Sequence, residues 1–260
     1  MTNTTPAKRN GLCILMIGGV LSLASTLGHA APASGSNQEG GSAQSQSDTL
    51  STRQQAIIPI AAFAAAGDMA KLDEALNRGL DDGLTISDVR EVLVQAYAYA
   101  GFPRSLNALN ALMKVVDTRK QRGIQDDPGR EPSRAIPTGD ALLDAGTANQ
   151  TKLVGQPVAG PLFEFAPAVD TYLKTHLFGD IFERDNLDWQ SRELATVSFL
   201  SALPGVESQL QSHIRISRNV GLTTSQLKQA ADLLSARVGA ENGQRAHDAI
   251  ALTSPDTAAQ

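Results

Sequence analysis

Between residues 53 and 253 apolar side chains return every three or four positions, and they do not alternate convincingly with polar ones. That spacing marks one face of a helix. RQQAIIPIAAFAAAG is an Ala-rich first helix ending at Gly67, with Pro59 inside it predicting a kink or a late start. Asp68 then caps MAKLDEALNRGL, whose Leu72, Ala75, Leu76 and Leu80 share a face. After Gly83, Thr85 and Asp88 form a capping box before VREVLVQAYAYA. Val89, Leu93, Ala96 and Ala100 make its buried stripe, flanked by Val92 and Tyr99. Gly101-Phe102-Pro103 interrupts the pattern, and a long helix follows with Leu106, Leu109, Met113 and Val116 inward.

In the second half Asp188 opens DWQSRELATVSFLSAL, with Leu194, Val197 and Leu200 in register. Pro204-Gly205 stops it, and VESQLQSHIRISRN and TTSQLKQAADLLSARVG complete the set. β-branched runs are scarce, so the fold class is all-α. Residues 124–161 shift to Pro, Gly and Asp, which reads as connection rather than core. FAPAVDTYLKTHLFGDIF partly restores the helical pattern.

The two halves repeat. Gly83-Leu84-Thr85 and Gly221-Leu222-Thr223 stand 138 residues apart, and Arg53 and Arg192 match within one residue of that offset. In each case a Gly ends one helix and a Thr caps the next. The expected organisation is a first repeat over 53–123, a connection with short helices over 124–187, a second repeat over 188–253 and a tail from 254. Two pseudo-repeated helical units packed as a twofold pair follow.

The N-terminus has a different character. Lys8 and Arg9 precede the apolar run GLCILMIGGVLSLASTLG, and Gly28 and Ala30 are the small residues of a cleavage site. Residues 1–30 read as a secretory signal peptide, cut before Ala31, which implies a periplasmic or secreted protein. The run is too short and too rich in Gly and Ser for a membrane anchor. Cys13 is at the wrong end of it for a lipoprotein. Residues 31–52 are small and polar and read as a flexible tether.

Cleavage removes the only cysteine and two cations, taking the net charge from −5 to −7 because no acid is lost. The mature chain then has no thiol, no disulfide and no cysteine metal site. A mildly acidic chain without basic clusters is a poor nucleic-acid binder, and no membrane contact is expected after cleavage. The histidines show neither His-x-His nor His-Glu-x-x-His spacing, so no metal is expected.

RELATVSFLSALPGVESQLQSH, NVGLT, REVLVQAYAYAGFPRSLNAL and YLKTHLFGDIFERDNLDW resemble the carboxymuconolactone decarboxylase family, over roughly residues 53–250. The resemblance implies helical units built on an antiparallel hairpin and assembled as trimers or hexamers. It also implies an acid and a histidine in the site, here Glu193 and His213. A related alkylhydroperoxidase-like branch carries two cysteines seven and four positions before that His. Val206 and Gln209 stand there, so thiol peroxidase chemistry is disfavoured. The first half places Gln54 or Gln55 and Ala75 where the acid and His would be, yet it alone keeps the Gly-Phe-Pro corner. One composite site per chain is expected, with Glu193 and His213 from one repeat and the corner from the other.

Each residue also has a plainer role available. His213 at the edge of an apolar stripe suits a half-buried structural histidine, and Glu193 near a helix start answers the helix dipole. Arg104 is placed to fork onto a substrate carboxylate, or else to pair with Asp88 or Glu91. Of Tyr97 and Tyr99, two apart on a helix, only one faces the cavity, and Tyr99 joins Phe102, Pro103 and Asn107 as its expected wall. His176 reads as structural or interfacial and His247 as surface. The resemblance implies a cofactor-free acid/base decarboxylase or isomerase of a small carboxylated lactone or related acid. Export favours the alternative, a non-catalytic binding or assembly protein of the same fold.

Overall fold

Ser51 starts the helical array: its hydroxyl accepts from the Gln54 amide while the Gln54 side chain accepts from the Ser51 amide. The computed structural model describes residues 48–254. The expected signal peptide, most of the tether and most of the tail lie outside the described residues.

Helix α1 (Thr52–Ala66) runs through Pro59, which lacks the N–H that would meet the Gln55 carbonyl. The helix therefore starts early and tolerates the proline. Asp68 caps α2 (Met69–Asp81), and a reciprocal Thr85–Asp88 box caps α3 (Ile86–Gln95). A short α4 (Tyr97–Ala100) follows, then Gly101 at φ 83° turns the chain into α5 (Phe102–Gln121). Next come α6 (Asp140–Val154), α7 (Pro161–Phe165), α8 (Pro167–Tyr172) and a π-helix over Leu173–Ile181. The second half holds α9 (Trp189–Ala202), α10 (Glu207–Asn219), α11 (Thr224–Arg237) and α12 (Ala240–Leu252). No strand occurs among the described residues.

The repeat is visible bond by bond. The Gly83 amide donates to Leu80 and Leu84 to Gly79, as Gly221 donates to Arg218 and Leu222 to Ser217. Thr85 and Thr223 close equivalent capping boxes. The same offset of 138 carries Gly101, the N-cap of α5, onto Gly239, the N-cap of α12. The repeat thus extends past the corner, although the Phe-Pro of the first half has no counterpart in the second.

Helices α1 and α9 form the most extensive pair and are buried on nearly every side, from Ala56 to Ala65 and from Ser191 to Ser201. The buried span of α1 is apolar all round, as a core helix requires, whereas α9 also buries Arg192, Glu193 and Thr196, which need partners. The other helices coat this pair in three apolar clusters, and Tyr99 packs against all three.

The connection holds more structure than its composition predicts. Helix α6 packs on the π-helix at glycine contacts: a Cβ on Gly146 would lie 1.7 Å from the Lys174 carbonyl oxygen. Gly146 makes that close approach of two helices feasible.

A buried ion pair joins the halves. Glu91 on α3 and Arg192 on α9 are both fully buried and 3.0 Å apart. Arg184 forks onto the same carboxylate at 2.8 and 2.6 Å, and Gln95 donates to the Arg192 carbonyl and to Thr196. Burial pushes the Glu91 carboxyl upward, but Arg184, Asn186 and Arg192 outweigh it and hold the group at about 2, below its ordinary 4.5.

A depressed folded pKa contributes stability that is present above the unfolded value and lost as pH falls through the folded one. Here that window runs from about pH 4.5 to about 2, with of order 3 kcal/mol at stake. Glu91→Gln is expected to cost roughly 3–5 kcal/mol at neutral pH, because two guanidiniums lose their counter-charge. Urea unfolding at pH 7 and pH 3 checks both points, and the variant should show a flatter acid limb than the parent.

Candidate active site

Asp188 sets the register of α9 by accepting from the Ser191 amide, which places Glu193 in the second turn. Only residues 203–206 separate α9 from α10, so the two helices pack as a hairpin. His213 then comes level with the acid, and its Nδ1 is 2.8 Å from Glu193 Oε2. The Glu193 side chain is fully buried, whereas His213 keeps 8% exposure. A carboxylate at that position accepts from Nδ1–H and leaves Nε2 to exchange a proton.

The first repeat contributes Tyr99. Its ring meets the His213 ring edge-on, with centroids 5.6 Å apart, and stacks on Phe199 at 5.6 Å. The Tyr99 hydroxyl and Glu193 Oε1 are both sealed from solvent without a hydrogen-bond partner among the described residues. Burial and the neighbouring Glu193 charge raise the phenol pKa above its ordinary 10. Tyr99 therefore stays protonated and offers a neutral O–H donor beside the acid–imidazole pair.

Other expected wall residues lie elsewhere. Phe102 is 62% exposed and stacks on Tyr97 at 4.5 Å, and Pro103 and Asn107 are exposed on α5. Arg104 donates to the Ala65 carbonyl and so ties down the C-terminal end of α1. Arg245 of α12 does the same for α9 by donating to Ser201 at 2.8 Å. Neither carboxylate considered for Arg104 is its partner: Asp88 takes Arg53, and Glu91 takes Arg184 and Arg192. The corner acts through geometry, because Gly101 at φ 83° ends α4 and fixes where Tyr99 points.

His176 pairs with Asp180 at 2.9 Å on the exposed side of the π-helix, and His247 pairs with Asp232 at 2.9 Å. Among the described residues no three potential metal ligands converge. The caps align Ser51 with Asp188, which sets Ala56 opposite Glu193, one residue beyond the glutamines expected. Gln54 serves the α1 cap and Gln55 donates to the Leu50 carbonyl. Thr196 and Phe199 escaped the sequence reading, although Thr196, three residues after Glu193, shares its helix face.

The profile of the carboxymuconolactone decarboxylase family matches residues 38–114 and 167–252, one segment in each half. No curated protein matches the chain.

Removing an unbonded buried hydroxyl should cost nothing. Tyr99→Phe is expected to leave stability unchanged or to raise it by about 1 kcal/mol. Tyr99→Ala, which opens a hole where three clusters meet, should cost roughly 3–5 kcal/mol. Thermal and urea unfolding measure both, and a loss above about 1.5 kcal/mol in Tyr99→Phe would mean that the hydroxyl is bonded after all.

Proposed function

The chain belongs to the carboxymuconolactone decarboxylase family, and from that premise we propose a cofactor-independent acid/base decarboxylase or isomerase of a small carboxylated lactone or related acid. The observation that carries the reading is the 2.8 Å pairing of His213 Nδ1 with Glu193, made in a buried setting with the Tyr99 hydroxyl alongside. Loss of carbon dioxide leaves an electron pair delocalised into an enolate. Protonated His213 delivers its Nε2 proton to the carbon, while Glu193 holds the ring and stabilises the imidazolium before transfer. The Tyr99 O–H donates to the developing enolate oxygen. In an isomerisation the same imidazole removes a proton and returns it.

The thiol route of the related branch needs two cysteines, and the sequence has one, Cys13. The remaining proposals concern setting: an exported protein acting on a small molecule, with no nucleic-acid partner, and self-associating as a trimer or hexamer. Leu106 and Met113, expected inward, are instead exposed by 55% and 57% because α5 buries Ala108, Leu112 and Val115; with Phe102 at 62% they form an apolar face that supports self-association. A second reading, ligand capture without turnover, is favoured by one observation: only 8% of His213 reaches solvent.

Turnover of small carboxylated lactones and unsaturated acids, followed by carbon dioxide release and by NMR, distinguishes these readings. His213→Ala and Glu193→Gln should each lower kcat by about 10²–10⁴ while the fold persists. Turnover that survives both changes would sink the catalytic proposal. Binding without turnover in the parent chain, retained in both variants, would support capture.

A further inference from the structure

The pseudo-twofold that builds the Glu193–His213 site must create a mirror position in the other half, and that position is a cavity. It occupies about 270 Å³, close to the lower limit of roughly 300 Å³ for small-ligand pockets. Ala75, Arg237 and Pro59 in its walls are counterparts of residues at that site. Ala75 stands where the second half has His213 and Arg237 where the first half has Tyr99, both at the offset of 138. Pro59 stands opposite Thr196 when the helix caps of α1 and α9 are aligned. With alanine in place of imidazole, the room of a ring is left open, and Phe63 and Pro59 give it an apolar side.

The charge at its rim is opposite in sign to that of the chain. Lys71, Arg78 and Arg237 face one carboxylate, Glu74, on a chain whose net charge is −5. Lys71 is 3.5 Å from Asp68 and lies over the Phe63 ring at 5.6 Å. The Arg78 and Arg237 side chains have no ion pair or hydrogen bond among the described residues, and both are exposed. Two unpaired guanidiniums from different repeats, at the mouth of an apolar recess, present forked donors to a carboxylate whose hydrocarbon part fills the recess.

We propose that this degenerate counterpart of the acid–histidine site is a binding site for small aromatic or alicyclic carboxylates, held by Arg78 and Arg237 over Pro59, Phe63 and Ala75. It contains no acid–base pair, so the ligand is bound and not converted. The proposal is independent of whether His213 is catalytic.

Benzoate, with neutral benzamide as control, is titrated into the full chain at low ionic strength and followed by calorimetry and by amide NMR shifts. Benzoate should bind, perturb amides near Ala75 and Arg237, and bind at least tenfold more weakly in Arg78→Ala/Arg237→Ala. Ala75→Leu, which fills the recess and leaves both arginines in place, should abolish binding, whereas His213→Ala should leave it intact. Benzamide should show no comparable affinity. Failure of benzoate to bind the parent chain at millimolar concentration would overturn the proposal. So would affinity that is unchanged in the double arginine variant, or that is lost in His213→Ala, which would place the ligand at the other site.

Discussion

Two helices that are buried on nearly every side cannot both be covered by their own repeats, and the packing of α1 against α9 answers that constraint. Each half brings one such helix, and neither half alone has enough surrounding helices to keep it from water. The remaining architecture follows from clothing this central pair. Once the two helices lie together, α3 and α4 of the first repeat come against α9, and Glu91 can reach Arg192 while Tyr99 reaches His213. The ion pair and the candidate site are thus products of one contact.

Duplication supplied the framework twice, and the two copies now differ at the positions that carry chemistry. Backbone devices are preserved as glycine stops and threonine caps, and arginines at non-equivalent positions, Arg104 and Arg245, close the ends of α1 and α9. Side chains at the two symmetry-related positions are not preserved. The buried site of one half holds a carboxylate and an imidazole beside the phenol of Tyr99, whereas the recess of the other holds alanine, proline and cations. Helix ends need satisfied backbone groups wherever they occur, whereas a recess can change its lining without unfolding the chain.

Much of the helical plan was legible, because Leu72, Leu76 and Leu80 or Leu194, Val197 and Leu200 print a face directly onto the sequence. Helix α6 was not, because its buried positions are Gly146, Gln150 and Leu153, a contact made through closeness rather than an apolar stripe. Glu193 and His213 were legible as a pair through resemblance, and their separation of twenty residues across a short hairpin leaves little freedom. Tyr99 was the one expected wall residue found against His213, since a ring flanking a stripe can point across to another element. Arg104 misled because a guanidinium near a corner looks the same whether it meets a ligand or the carbonyl of Ala65. The Glu91 network joins residues about a hundred positions apart, and no local pattern announces it.

The exchange of Tyr99 and Arg237 between halves bears on how this chain can be divided. A break in the stretch between α5 and α6 would produce two fragments, each with its own capped helices and each lacking part of either site. The imidazole and the phenol would be on different molecules. Whatever the acid–histidine pair does would then depend on the fragments finding each other, so the chain behaves as a covalently tethered heterodimer of unlike halves.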